Sequence, residues 1–288
     1  MAITPDTFYA KQYGDMVSLL AQQKGSKLRN TVQVKTGVKA EECYMDQVDF
    51  LTAQPITGRF QSTQITDTPH YRRRIALAGY YVNPALDPND HVKMIVDPTS
   101  AYAKSGMYAM GRQIDDLIIA AATGTAFTGK AGGTSTTLPS TQKVAAASAG
   151  MTLAKWLAAK EILDGNDVDE SEERFLIVTA EQLIELLNTT EIKSADYNSV
   201  KALVQGQIDT YLGFKVIRTQ RLTTDTNSDR QVLAFTKSGI GLAVSEDIIT
   251  RIDERTDLNY TKQIYCRMHM GSSRLEEKKV VEIACVVS

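Results

Sequence analysis

Asp97-Pro98-Thr99 opens, and Tyr108-Ala-Met-Gly111-Arg112-Gln-Ile114-Asp115-Asp116-Leu117-Ile118-Ile-Ala-Ala121-Ala-Thr123-Gly124 continues, the strongest helical pattern in this 288-residue chain. Asp97 or Thr99 supplies a capping oxygen and Pro98 suits a helix entry, while Tyr108, Gly111, Ile114, Leu117/Ile118 and Ala121 recur at three- and four-residue spacing. The pattern predicts a helix ending near Thr123, about six to seven turns long. Beyond it, residues 124–150 are rich in Gly, Ser, Thr and Ala and too poor in large apolar residues to pack a core alone. A shorter helix is expected near Thr152–Leu163, carrying the only tryptophan, Trp156.

Toward the N-terminus, Tyr9, Tyr13, Met16/Val17 and Leu20 share one helical face, predicting an amphipathic helix from Pro5 to about Gln23. Gly25 ends it, and Thr31-Val32-Gln33-Val34 reads as part of an extended arm. Strand-like runs at Met45–Leu51 and Arg74–Val82 flank a polar stretch with Pro55, Gly58 and Pro69, the pattern of a long hairpin. Toward the C-terminus, Arg174–Val178 reads as a buried strand. Thr179-Ala-Glu-Gln182 is a capping box opening a helix with Leu183, Ile184, Leu186 and Leu187. A further helix near Ser199–Thr210 and strands at Phe214–Arg218, Gln231–Phe235 and Gly239–Val244 follow. The last expected elements are Gln263–Met270 and Lys278–Val287, joined by a polar turn at Gly271–Glu277.

Composition narrows the class. The chain is 43% hydrophobic and 23% charged, with a net charge of −2, which excludes disorder and makes indiscriminate nucleic-acid binding a poor fit. No apolar run approaches the roughly 20 residues of a membrane span. The start MAITPDTFYAKQYGD lacks the basic and apolar regions of a signal peptide, so the protein is expected to stay where it is made. Cys43, Cys266 and Cys285 are odd in number and widely spaced, as ordinary buried thiols are. Yet the charge is polarised: residues 1–40 carry six basic residues against two acids, a net +4, while residues 161–191 carry ten acids against Arg174 alone, a net −9.

Candidate chemistry is thin. Gly124–Lys130 matches a phosphate-binding loop except that Ala131 stands where Ser or Thr should hold magnesium, and a helix rather than a strand precedes it. Asp115 and Asp116 point about 100° apart on a helix, so they read as surface or interface ion-pair partners, with Arg112 within reach, and not as a catalytic dyad. In Cys266-Arg-Met-His269 the two ligand types fall on opposite faces of a strand, which argues against zinc. No catalytic, cofactor-binding or metal site is expected, and the chain is not read as an enzyme. Arg72-Arg73-Arg74 is different, because guanidinium forks suit carboxylates at protein interfaces. The arginines are expected to meet the acidic run, including Asp167, Asp169, Glu170, Glu172 and Glu173, between subunits.

The order of elements is distinctive: arm, two-stranded extension, long helix, small-residue loop, strand–helix unit, terminal strands. Together with Tyr108–Ala126, Arg174–Leu187 and Leu212-Gly-Phe-Lys-Val-Ile217, it resembles the major capsid protein of tailed bacteriophages. The resemblance implies an α+β Hong Kong 97-like phage capsid fold with an N-terminal arm at 1–45, an E-loop at 46–85 and a peripheral domain with spine helix at 86–170. An axial domain at 171–245 and terminal strands at 246–288, returning to the peripheral domain, complete it. It further implies hexamers and pentamers closing an icosahedral virion shell around double-stranded DNA, assembled in the bacterial cytoplasm, with Lys24, Lys27, Arg29, Lys35 and Lys39 on a DNA-facing arm. A portal protein is an implied partner. A separate scaffolding protein is expected because the chain begins almost at the arm. No lysine lies between Lys39 and Lys93, so the E-loop lacks the lysine that some relatives use in cross-links. The shell is therefore expected to be non-covalent, leaving a role for a cementing protein. Encapsulin nanocompartments resemble the same fold, and a soluble nucleotide-binding enzyme using Gly124–Lys130 is the reading from another class. A tail or portal component, forming tubes or single rings, is a third.

Overall fold

The computed structural model describes residues 19–60, 62–63, 65–87, 99–188 and 210–287. Most of the expected Pro5–Gln23 helix, the Asp97-Pro98 entry and the helix near Ser199–Thr210 fall outside them, and residues 19–23 are irregular. The long helix, α1, spans Thr99–Thr123. Its Met110, Ile114, Ile118, Ile119 and Ala122 are buried, close to the stripe read from the sequence.

Three sheets surround it. The first contains β1 (Gln33–Thr36), β13 (Ile240–Arg255), β14 (Thr261–Arg274) and β4 (Ala78–Val82) in that order, with β5 (Ala85–Leu86) also on β14. α1 lies across it, and Leu242, Val244, Ile264, Cys266, Met268 and Met270 join the helix in one apolar core. The second sheet runs β10 (Thr210–Tyr211), β11 (Phe214–Arg218), β9 (Arg174–Val178), β12 (Arg230–Thr236), β15 (Val280–Cys285) and β8 (Lys143–Val144). It carries α2 (Leu153–Gly165), capped where the Thr152 hydroxyl accepts from Lys155 N, and α3 (Ala180–Asn188), which follows the Thr179 and Gln182 side-chain pair. β9 is buried at all five positions, as its unbroken apolar run predicts. The third sheet is the hairpin β2 (Glu42–Val48) and β3 (His70–Ala76), extended by β6 (Ala126–Thr128) and β7 (Thr134–Thr136).

Three details depart from the sequence reading. The hairpin's return strand is His70–Ala76, and residues 78–82 form a separate strand in the first sheet. The small-residue connection after α1 is structured, because β6 pairs with β3 through Arg73↔Thr128 and Arg74↔Phe127. The expected turn at Gly271–Glu277 begins as strand: β14 continues to Arg274, and β15 leaves for the second sheet instead of pairing with β14. Gly271 permits this, since a Cβ there would sit 2.0 Å from Ala76 O. Arg274 fixes it by donating from its buried side chain to Ala122 O and Gly124 O at the end of α1 and to Thr136 O in β7.

Candidate assembly surface

The β2–β3 hairpin is anchored at one end only. Cys43, Met45 and Ile75 are buried against Ala243 and Leu275 on the face of the first sheet opposite α1, and burial stops beyond Met45. Past that point the connection from 49 to 69 exposes Phe50, Leu51, Ile56, Phe60 and Ile65, the last two completely. No described residue covers these side chains, and exposed large apolar groups of this kind are what interaction surfaces carry.

The arginine triplet alternates across the hairpin as strand geometry requires. Arg72 pairs with its cross-strand neighbour Asp46 at 2.5 Å, and Arg74 with Glu42 at 3.1 Å while lying 4.6 Å over the Phe127 ring. Arg73 turns inward, donating to Leu275 O at 2.8 Å and to Glu277 at 2.5 Å. Each arginine thus has a partner within its own chain, and Arg73 latches the hairpin root to the segment after β14. The Arg72 hydrogen bond holds the Asp46 carboxyl below its ordinary value. Burial depresses the Arg274 guanidinium, with Arg73 nearby adding to the effect.

The acidic run divides similarly. Asp164 pairs with buried Arg174, Glu173 with Lys215 and, at 3.8 Å, with Lys237. Glu172 accepts from Ser238 and Lys279, and although burial alone would raise its pKa these bonds outweigh it and the net shift is downward. Asp169 accepts from Ser171 N at 2.8 Å, which lowers it. Asp167 and Glu170 are exposed at the turn's tip, Asp167 with φ of 57°.

Along the arm, Lys24 and Lys39 are exposed, Lys27 donates to Arg218 O, Lys35 to Tyr44 O, and Arg29 grips Asp247 through both terminal nitrogens at 2.9 and 2.6 Å. Arg112 does not pair with Asp115 or Asp116 here: it donates to Gln22 Oε1 and Gln23 O. Asp116 is gripped by Arg221, while Asp115 is completely buried and takes hydrogen bonds from the arm. Sequence reasoning placed Asp115 on a surface because nothing local shows that a segment nearly ninety positions away crosses that face.

Within Gly124–Lys130, Ala126–Thr128 form β6 on β3, and no helix follows directly as a phosphate-cradling loop requires. Cys266 packs beneath α1, where a Cβ on Gly106 would lie 2.8 Å from its Sγ, and His269 points to the other face. Among the described residues no group of three or more metal-ligating side chains converges, and no helix is long and apolar enough to cross a membrane.

The sequence model of the phage capsid protein family matches residues 5–287. No curated protein sequence matches. Among solved structures, the chain is similar to the capsid of Cyanophage P-SCSP1u at 19% identity, with TM-score 0.78 and coverage of 99% of this chain and 94% of that one. It is also similar to a chain of Mycobacterium phage Che8, at 16% identity and TM-score 0.71, covering 96% and 97%. A third is the head of Helicobacter pylori bacteriophage KHP40, at 12% identity and TM-score 0.74, covering 96% of each chain. At these identities the likeness establishes a shared fold.

Proposed function

This chain belongs to the phage capsid protein family and is a major capsid protein of the virion shell, and on that premise we propose how its surface builds the shell. Copies associate as hexamers and pentamers into a closed icosahedral container for double-stranded DNA, assembled in the host cytoplasm. The observation that carries this reading is the exposed apolar tip of a hairpin whose root alone is packed. Laid on a neighbouring subunit, Phe50, Ile56, Phe60 and Ile65 leave water, and each large side chain fully buried contributes about 1.5–3 kcal/mol. A contact between unlike patches is heterologous, the kind that closes into rings.

In this reading residues 19–45 root the arm, and the hairpin and its connection form the E-loop, ending at Ala76 rather than 85 because β4 and β5 join the first sheet. α1 is the spine of the peripheral domain, and the second sheet with α2 and α3 is the axial domain, which takes β15 although the terminal strands were expected on the peripheral domain. Asp167, Asp169 and Glu170 at the tip, with Glu172 and Glu173 behind them, face Arg72, Arg73 and Arg74 of the neighbour only in part. The exposed acids and Arg72 carry that contact, Arg74 stands beside Arg72 on the same face with Glu42, and Arg73 supports the hairpin from inside. Lys24 and Lys39, with Lys27, Arg29 and Lys35, form the DNA-facing arm. Scaffolding and portal proteins and a cementing protein complete the partner set. The test is to express the chain with its head-assembly partners and separate the products by sedimentation. Wild type is expected in closed particles, and Phe60→Ser with Ile65→Ser in folded, unassembled subunits. Particles forming equally well from the double variant would overturn the reading.

A further inference from the structure

Residues 22–32 cross α1 as a strip that belongs to no sheet and reaches three parts of the molecule. On α1, the buried Asp115 carboxylate accepts from Gln23 Nε2 at 2.5 Å, Ser26 Oγ at 2.6 Å, Lys27 N at 3.1 Å and Leu28 N at 3.0 Å. Arg112, one turn earlier, holds Gln22 and Gln23 O. At the end of β11, Arg218 O accepts from Lys27 and the Thr219 hydroxyl donates to Gln23, both at the margin of the second sheet. In the first sheet, irregular pairing of β13 between Val244 and Ile249 brings Asp247 to Arg29. Leu28 and Val32 then plug the common core, fully buried or nearly so. The crossing itself needs a bare helix surface: a Cβ on Gly111 would lie 2.5 Å from Gly25 Cα, and Gly25 takes a φ of 79° that suits glycine.

We infer that residues 22–32 are a releasable strap, locked by Asp115, which ties the α1 layer to the second sheet. α1 and the sheets hold themselves through their own backbone ladders, whereas the strap's regular backbone bonding is confined to the single 3-10 turn at Arg29–Thr31, where Thr31 N donates to Leu28 O. Its largest single polar attachment is to one carboxylate: Asp115 accepts from Gln23, Ser26, Lys27 and Leu28, more donors than any other side chain engages on the strap. Removing that charge therefore detaches the strap and leaves the ladders intact, so the strap is a local opening unit within the subunit. This inference is independent of how subunits assemble.

Lys24, Lys27 and Arg29 place three tryptic sites within the strap itself. Limited trypsinolysis of the full-length unassembled chain is the test, with two variants that act differently. Asp115→Asn keeps the shape but turns an amide toward donors, and Gly111→Ala pushes the backbone off the helix without changing any charge. Both are expected to raise cleavage at these three sites by about tenfold or more while the near-ultraviolet signal of buried Trp156 is retained. Unchanged cleavage in both variants would overturn the inference. So would strap cleavage that appears only together with cleavage at buried Arg274, or variants that fail to fold, since either would make Asp115 a support of the whole fold.

Discussion

Arg274 and Arg72 illustrate how little a residue's type says about its contribution. Arg274 is buried and its side chain serves three carbonyls, two of them at the end of α1, which would otherwise lie unpaired in the interior. Arg274→Ala is therefore expected to lower the unfolding free energy by about 3–5 kcal/mol. Arg72 meets Asp46 on an exposed hairpin face, and Arg72→Ala is expected to change stability by less than about 1 kcal/mol. Urea denaturation of dissociated subunits separates the two, and equal costs would contradict the assignment. Burial pushes the Cys285 thiol up to about 11, and Cys43 and Cys266 are buried too, so a thiol reagent at pH 8 should label none of the three until the chain unfolds. The paired carboxylates of Asp46, Glu173 and Asp247 are held below their ordinary values by Arg72, Lys215 and Arg29 respectively. A depressed carboxyl contributes stability above its unfolded pKa and loses it as pH falls through the folded one. The urea midpoint should thus be flat from about pH 7 to 5 and decline below about pH 4.

At the scale of elements, the hairpin is the part whose role differs most from its stability. Its root packs on the first sheet through Met45 and Ile75, and its tip touches nothing described within its own chain that would bury Phe60 or Ile65. Met45→Ala should destabilise the subunit by about 2–4 kcal/mol, while shortening the connection between 51 and 65 should leave the subunit's midpoint within about 0.5 kcal/mol and abolish assembly. α1 was legible because a single face repeats without interruption, and so was the Thr179–Gln182 start of α3, since both signals are local in sequence. The continuation of β14 to Arg274 was hidden because its causes, Ala76 O beside Gly271 and the end of α1 beside Arg274, lie about 150–200 positions away in the chain. Separation in sequence also concealed the burial of Asp115, whose arm partners lie 87–92 positions away and look like unremarkable polar residues, and the partners that Arg72, Arg73 and Arg74 find within their own chain 26, 202 and 32 positions away.

For the whole molecule, a net charge of −2 conceals opposite ends, and folding spends much of both on internal pairs. Among the described residues, an apolar hairpin tip, the arm's Lys24 and Lys39 and a short acidic turn at Asp167–Glu170 stay exposed. The family to which the chain belongs is one of phage capsid proteins. With no lysine from 40 to 92, the shell it forms should release monomers when boiled in detergent under reducing conditions, and a ladder of larger species would show cross-linking after all. If the shell closes through the hairpin, mass photometry with negative-stain imaging of the sedimented product should show closed, megadalton particles from wild type and only folded subunits from the Phe60→Ser, Ile65→Ser variant. Tubes or single rings from wild type, or closed particles from the variant, would contradict it.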